Sequence, residues 1–158
     1  MTVSSIPIEP ARAWRAVFWA GLVAGIFDII FAFVLGAMNG RSMTAVLQSV
    51  AGGLLGRESF NKGTGSAVLG LVLHFFIAFV WATIFFLASR KLSVLTNHPI
   101  VCGLLYGAII YLFMYYVVLP NCALHVKLPY PMRSIAINLL GHMILIGLPI
   151  SLITRRLS

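Results

Sequence analysis

Residues 14–38 read WRAVFWAGLVAGIFDIIFAFVLGAM: an apolar run broken only by Arg15 near its start and by one acid, Asp28, just past its middle. At about 1.5 Å per residue, a helix of this length exceeds the ~30 Å hydrocarbon core of a bilayer. Gly21, Gly25, Asp28, Ala32 and Gly36 recur at steps of 4, 3, 4 and 4. They therefore share one helical face, with Phe, Ile, Leu and Val on the other. Small residues on such a face let a second helix approach closely. Asp28 is thus expected to face protein, not lipid. A carboxyl at that depth is costly and needs a partner, a proton or a wet cavity.

Working outward, the same pattern predicts three more spans, at about 67–88, 100–119 and 133–154. The second carries Gly70, His74, Ala78 and Ala82 on one face by steps of four, and the third carries Gly103, Gly107, Tyr111 and Tyr115. Gly103 and Gly107 form a GxxxG pair, a weak helix-packing motif. In the fourth, Ser134, Asn138 and His142 share a face beside Gly141, and Pro149 is expected to kink its last turns. Residues 43–55 are too short to cross. Met43, Val46, Leu47, Val50, Leu54 and Leu55 fall there at helical spacing, with Thr44, Gln48 and Ser49 at other positions. This predicts a short amphipathic helix at the interface, or a re-entrant segment. The expected fold is all-α: a polytopic bundle of four transmembrane helices plus one interfacial helix. Residues 1–11 form a mobile tail before a single membrane domain over 12–158. Pro120, Pro129 and Pro131 enclose an irregular loop with Asn121, His125 and Lys127.

Composition points the same way. The 158 residues are 61% hydrophobic and 9% charged, with mean hydropathy +1.03. Soluble domains run nearer a quarter charged, so no water-facing surface can be built from this set. The net charge is +8. The Lys and Arg residues cluster at span ends, which suits anionic lipid headgroups and not nucleic acid. Cys102 and Cys122 flank the third span, roughly 30 Å apart if it is helical, too far for a mutual disulfide. The run after Arg15 is longer than a signal-peptide core, so no cleavage is expected. With both termini in the cytoplasm, Arg12, Arg15, Arg90, Lys91, Arg155 and Arg156 lie inside, and Arg41, Arg57, Lys62, Lys127 and Arg133 outside. The inner charges sit in short segments at span ends, where the positive-inside rule has its force.

Because the spans alternate in direction, Asp28, His74, Tyr111 and His142 fall within a layer roughly 5 Å thick at ~1.5 Å per residue. Asn138 lies one turn from His142. The plain reading is a set of interhelical hydrogen bonds, at roughly 0.6–2 kcal/mol each, in a non-enzymatic structural or accessory component. The alternative is proton handling: a coupled Asp–His group titrates as a unit and can switch near neutral pH, as a proton-coupled transporter or pH-responsive protein requires. A lesser alternative has His74 and His142 ligating a haem or, with Asp28, a metal, although no metal-binding spacing motif is present. The glycine faces, Gly21, Gly25, Gly36, Gly70, Gly103, Gly107 and Gly141, are expected to serve helix packing. They also offer spare surface for a homo-oligomer or a larger membrane complex. No GxSxG, HExxH or phosphate loop marks an enzyme.

Several short elements carry a likeness to a known group: Gly21-Leu22-Val23-Ala24-Gly25, His74, Gly103-Leu104-Leu105 with Gly107, the Pro-containing loop, and Gly141-His142 followed by basic residues. From about Arg15 to Arg156 the chain resembles the YagU-like group of small bacterial inner-membrane proteins. The resemblance implies a helical protein of the bacterial inner membrane with no established biochemical activity. His74 and His142 match the group's pattern. Asp28 stands where a small or neutral residue is expected, which favours the histidines for any shared role.

Overall fold

The computed structural model describes residues 10–125 and 131–157. Residues 1–9 of the expected tail, and the part of the loop holding Lys127 and Pro129, lie outside the described residues. The described residues form helices and turns, with no strand among them. Four helices are long and apolar enough to cross a membrane. They are α1 (Pro10–Met38), α3 (Gly63–Ser89), α5 (Pro99–Asn121) and α6 (Met132–Leu157). Between them lie α2 (Met43–Leu55), a 3-10 turn (Gly56–Asn61) and a single turn, α4 (Val94–Asn97).

Only 22–33% of the most apolar window of each span is buried within the chain. Phe76, Leu87, Ile100, Leu105, Ile109 and Ile144 all point outward. A surface this apolar is stable where lipid replaces water. Helix α1 packs against both α3 and α6, and α6 packs against α5. The first turns of α1 and the last turn of α6 lie at one end of the bundle (the terminal face), and α2 with residues 122–125 at the other (the loop face).

Helix α2 departs from the expected amphipathic pattern. Its buried side holds Val46, Gln48, Ala51 and Gly52, while Met43 and Leu54 are exposed. Gln48 faces in beside Val46 and Ala51, while Met43 and Leu54 face out, as suits a segment packed on protein with lipid beyond it. Gln48 Nε2 donates to the Gly63 carbonyl at 3.0 Å and to Ser66 Oγ at 3.4 Å. Ser66 Oγ in turn donates to the Ser59 carbonyl at 2.6 Å. These bonds tie α2 to the start of α3, where Gly70 lies against the Leu47 carbonyl. Gly56 ends α2 with φ +63°, and the Ala123 N–H donates to the Gly53 carbonyl at 3.0 Å, joining the far loop to α2. Gln48→Ala removes both donors and leaves a void. It is expected to cost about 1–3 kcal/mol, read as a lower Tm in detergent by circular dichroism.

Two spans contain a widened turn that periodicity does not reveal. Residues Met114–Val118 and His142–Gly147 are π-helical. Each segment ends one residue before a Leu-Pro pair, Leu119-Pro120 and Leu148-Pro149. Proline lacks an N–H and its ring crowds the carbonyl four residues earlier. The ladder responds by shifting one step: the Leu119 N–H donates to the Met114 carbonyl, and the Leu148 N–H to that of Met143. The disturbance from Pro149 therefore lies upstream, near the middle of the span, and not in the last turns as expected. The helix of α5 likewise continues through Pro120 to Asn121.

Candidate functional site

The site begins with His74 on α3, whose side chain is 10% exposed. Its Nε2 lies 2.9 Å from the Gly25 carbonyl of α1. A carbonyl only accepts, so Nε2 carries a hydrogen and donates. A Cβ at Gly25 would meet Phe75, so the missing side chain lets α3 lie close enough for the His74 ring to reach the backbone. The other nitrogen, Nδ1, then faces Asp28 Oδ2 at 3.9 Å. In a neutral ring Nδ1 holds a lone pair, which would oppose the lone pairs of an ionised carboxylate. A proton on either group removes that opposition. At 3.9 Å the contact is an ion-pair distance, too long for a direct hydrogen bond.

His142 on α6 is held differently. Its Nδ1 donates to the Asn138 carbonyl one turn back at 2.8 Å, leaving Nε2 as the nitrogen that can accept. Asn138 Nδ2 donates to the Ser134 carbonyl at 2.8 Å. The His142 ring meets the edge of Tyr111 with centroids 5.3 Å apart, and Tyr111 stacks on Tyr115 at 5.7 Å. The four-group layer expected from depth is therefore built as two pairs, Asp28 with His74 and Tyr111 with His142.

Asp28, His74, Asn138 and His142 line one cavity of about 230 Å³, with Trp81, Met114 and Val50 among the apolar walls. Toward the loop face it adjoins a larger cavity of about 490 Å³, bounded by Arg41 and Arg133. Ala32, Val50 and Asn138 line both, so the two cavities adjoin at these residues (the neck). Toward the terminal face the way is closed by Ala20, Ala24, Ala82, Phe85, Ile110, Ile146 and Ile150, a single packed cluster. The polar groups thus lie in a cavity that adjoins the loop-face one and is backed by the apolar cluster. The neck and the vestibule were not foreseen from the sequence, because Arg41 and Arg133 are 92 residues apart and only the fold brings them to one cavity. The paired Leu-Pro steps were a legible sign of the widened turns that carry Met114 and His142.

The glycines of the four faces are used inside the chain. An added Cβ at Gly21 would meet Phe79, at Gly25 Phe75, at Gly36 Val46, and at Gly141 Phe31. At Gly70 and Gly107 it would strike backbone, the Leu47 carbonyl and the His142 carbonyl. At Gly103 it would lie 2.9 Å from Ser151 Cβ and 3.0 Å from the Gly147 carbonyl. These glycines therefore pack against neighbouring helices of the same chain.

Among the described residues no three His, Cys, Asp or Glu side chains converge as a metal site would require. The cavity of about 230 Å³ is below the ~300–1,000 Å³ usual for small-molecule sites. Cys102 and Cys122 are free thiols. Ser66 serves the α2–α3 network, and Ser151 is buried against Gly103 with no partner for its hydroxyl. Comparison with protein-family models, curated proteins and solved structures finds no match to this chain.

Proposed function

We propose that this integral membrane protein is a non-enzymatic, proton-responsive component whose Asp28–His74 pair binds one proton drawn from the loop face. The observation that carries the reading is the fixed tautomer of His74. Its Nε2–H is committed to the Gly25 carbonyl, so Nδ1 and the Asp28 carboxylate face each other across a gap that calls for a proton. The recess above it supports supply from one side, and the apolar cluster below it supports closure on the other. A purely structural Asp–His contact would be dry and mutually bonded. Here the two groups line a cavity instead.

A role as a passive accessory subunit has less support, because the glycine faces that would serve a partner are filled within the chain. The proposed location is the bacterial inner membrane, a reading that rests on the resemblance to the YagU-like group. The proposed orientation puts the terminal face in the cytoplasm. There Arg12, Arg15 and Arg156 surround a cavity of about 210 Å³ that suits an anionic lipid headgroup. The vestibule then opens to the outside.

Cysteine accessibility tests the one-sided recess. In a Cys102→Ser, Cys122→Ser background, Ala32→Cys in the neck is expected to react with a membrane-impermeant thiol reagent added from the loop face. Ala82→Cys, in the apolar cluster, is expected to stay unlabelled from either side. Labelling of Ala82→Cys, or none of Ala32→Cys from the loop face, would sink the idea of one-sided proton supply.

A further inference from the structure

The loop-face vestibule holds a second feature that proton binding does not use. Arg41, in the turn after α1, and Arg133, in the first turn of α6, line the same cavity of about 490 Å³. Among the described residues neither has an acidic partner. Asp28 faces His74, and Glu58 pairs with Lys62 at 3.7 Å. Arg41 is steadied by one bond from its guanidinium to the Ala45 carbonyl at 3.1 Å, which leaves most of its donors unused. Two guanidinium groups around one cavity repel each other unless an anion lies between them. Their planar forks suit a carboxylate or a phosphate.

The rest of the vestibule limits the anion further. Away from the arginines, Asn39, Ser49, Ser134 and Asn138 add polar atoms, and Leu35, Val46, Val50 and Ile137 form an apolar side that leads to the neck. A small inorganic anion would leave that part unfilled. The volume lies within the range of ordinary small-molecule sites. We propose that the vestibule binds an amphiphilic acid anion, its head between Arg41 and Arg133 and its apolar body against Val50 and Ile137. The same chemistry is offered by a soluble aliphatic carboxylate and by an acidic phospholipid of the surrounding bilayer. The site stands whether or not Asp28 and His74 bind a proton.

The test uses the full chain in nanodiscs of phosphatidylcholine. Octanoate is the soluble probe, measured by equilibrium dialysis of the labelled acid. Phosphatidylglycerol is the bilayer probe, measured by its retention in native mass spectrometry. At least one is expected to bind. Arg41→Gln and Arg133→Gln are each expected to weaken it by about tenfold or more, the usual consequence of removing one partner from a charged contact. Arg41→Lys and Arg133→Lys, which keep the charge but lose the fork, should fall in between. Arg90→Gln, at the opposite face and in neither arginine-lined cavity, should leave binding unchanged. Octanoate binding lost in the Gln variants identifies a soluble acid, and phosphatidylglycerol retention lost in them identifies a lipid. The proposal is overturned if neither probe binds, if binding survives both Gln substitutions in protein that melts normally, or if inorganic phosphate competes as well as octanoate does.

Discussion

Gly107→Val is expected to lower the melting temperature by about 10 °C or more, from an overpacking cost at or beyond the upper end of ~1–3 kcal/mol. Gly107 lies where α5 meets the widened turn of α6. A Cβ there would overlap the His142 carbonyl and lie 2.5 Å from Met143 Cα. The opposing residue on α6, Gly147, is closed in the same way by the Gly103 carbonyl and by Gly107 itself. Both obstacles are backbone, so no rotamer change can relieve them. The helices must separate, and with them the Tyr111–His142 contact is lost. Gly107→Ala should cost less, since it adds only the first atom of that overlap. Gly53→Ala is the counterpart, because nothing lies within 4 Å of its added Cβ. It should hold or slightly raise the melting temperature, since alanine favours a helix by about 0.4–1 kcal/mol at a compatible site. Thermal melts of the three variants in one detergent decide the matter. Equal melting of Gly107→Val and wild type would mean that α5 and α6 do not meet as described.

Asp28→Asn is expected to abolish the pH response of the site without unfolding the protein. Trp81 lines the same cavity as Asp28 and His74 and can report on it. With Trp14 and Trp19 changed to Phe, its fluorescence in the wild-type site should pass through a transition between acid and mildly alkaline pH. An amide has nearly the shape of a carboxylic acid but does not titrate. In Asp28→Asn, the Nδ1 of His74 can accept a hydrogen bond from the amide, so a neutral imidazole is satisfied on both nitrogens and the proton is no longer required. The transition should disappear while helicity and melting stay near wild type. His74→Gln, which removes the other half of the pair, should also lose it. A transition unchanged in Asp28→Asn would remove the carboxyl from proton binding and leave His74 as a tether for α1.

The physical basis of these two effects differs in how visible it is in the chain. Overlap at Gly107 was signalled by the GxxxG pair, though the partner was not. A pair of glycines says that some helix comes close, and only the packing shows that it is α6 at the level of His142. Depth along a helix is a local property, because rise per residue is fixed. Asp28, His74 and His142 could therefore be placed in one layer by counting. Which of them touch depends on rotation and on which helices are neighbours. The layer proved to be two pairs, with the Gly25 backbone carbonyl as an acceptor that no side-chain pattern announces. Gln48 was assigned to the polar side of α2 by a pattern meant for a helix between water and lipid. Packing on α3 instead buried Gln48 beside Val46 and Ala51, because Ser66 and the Gly63 carbonyl there supply its hydrogen bonds.

What the sequence by itself determined is the class and the skeleton. Four apolar stretches without enough charge for a soluble surface must form spanning helices, since a backbone in hydrocarbon has to satisfy its own hydrogen bonds. The residues 14–38 announced this, along with the cost of placing Asp28 within a span. What only the tertiary structure decided is what surrounds that carboxyl. His74 of α3 lies beside it, and an apolar cluster closes one side. Arg41 and Arg133, 92 residues apart in the chain, stand in a vestibule on the other. Those relations depend on which helices pack together and at what rotation, and the balance of contacts between whole helices sets that, not the local rules of any one segment.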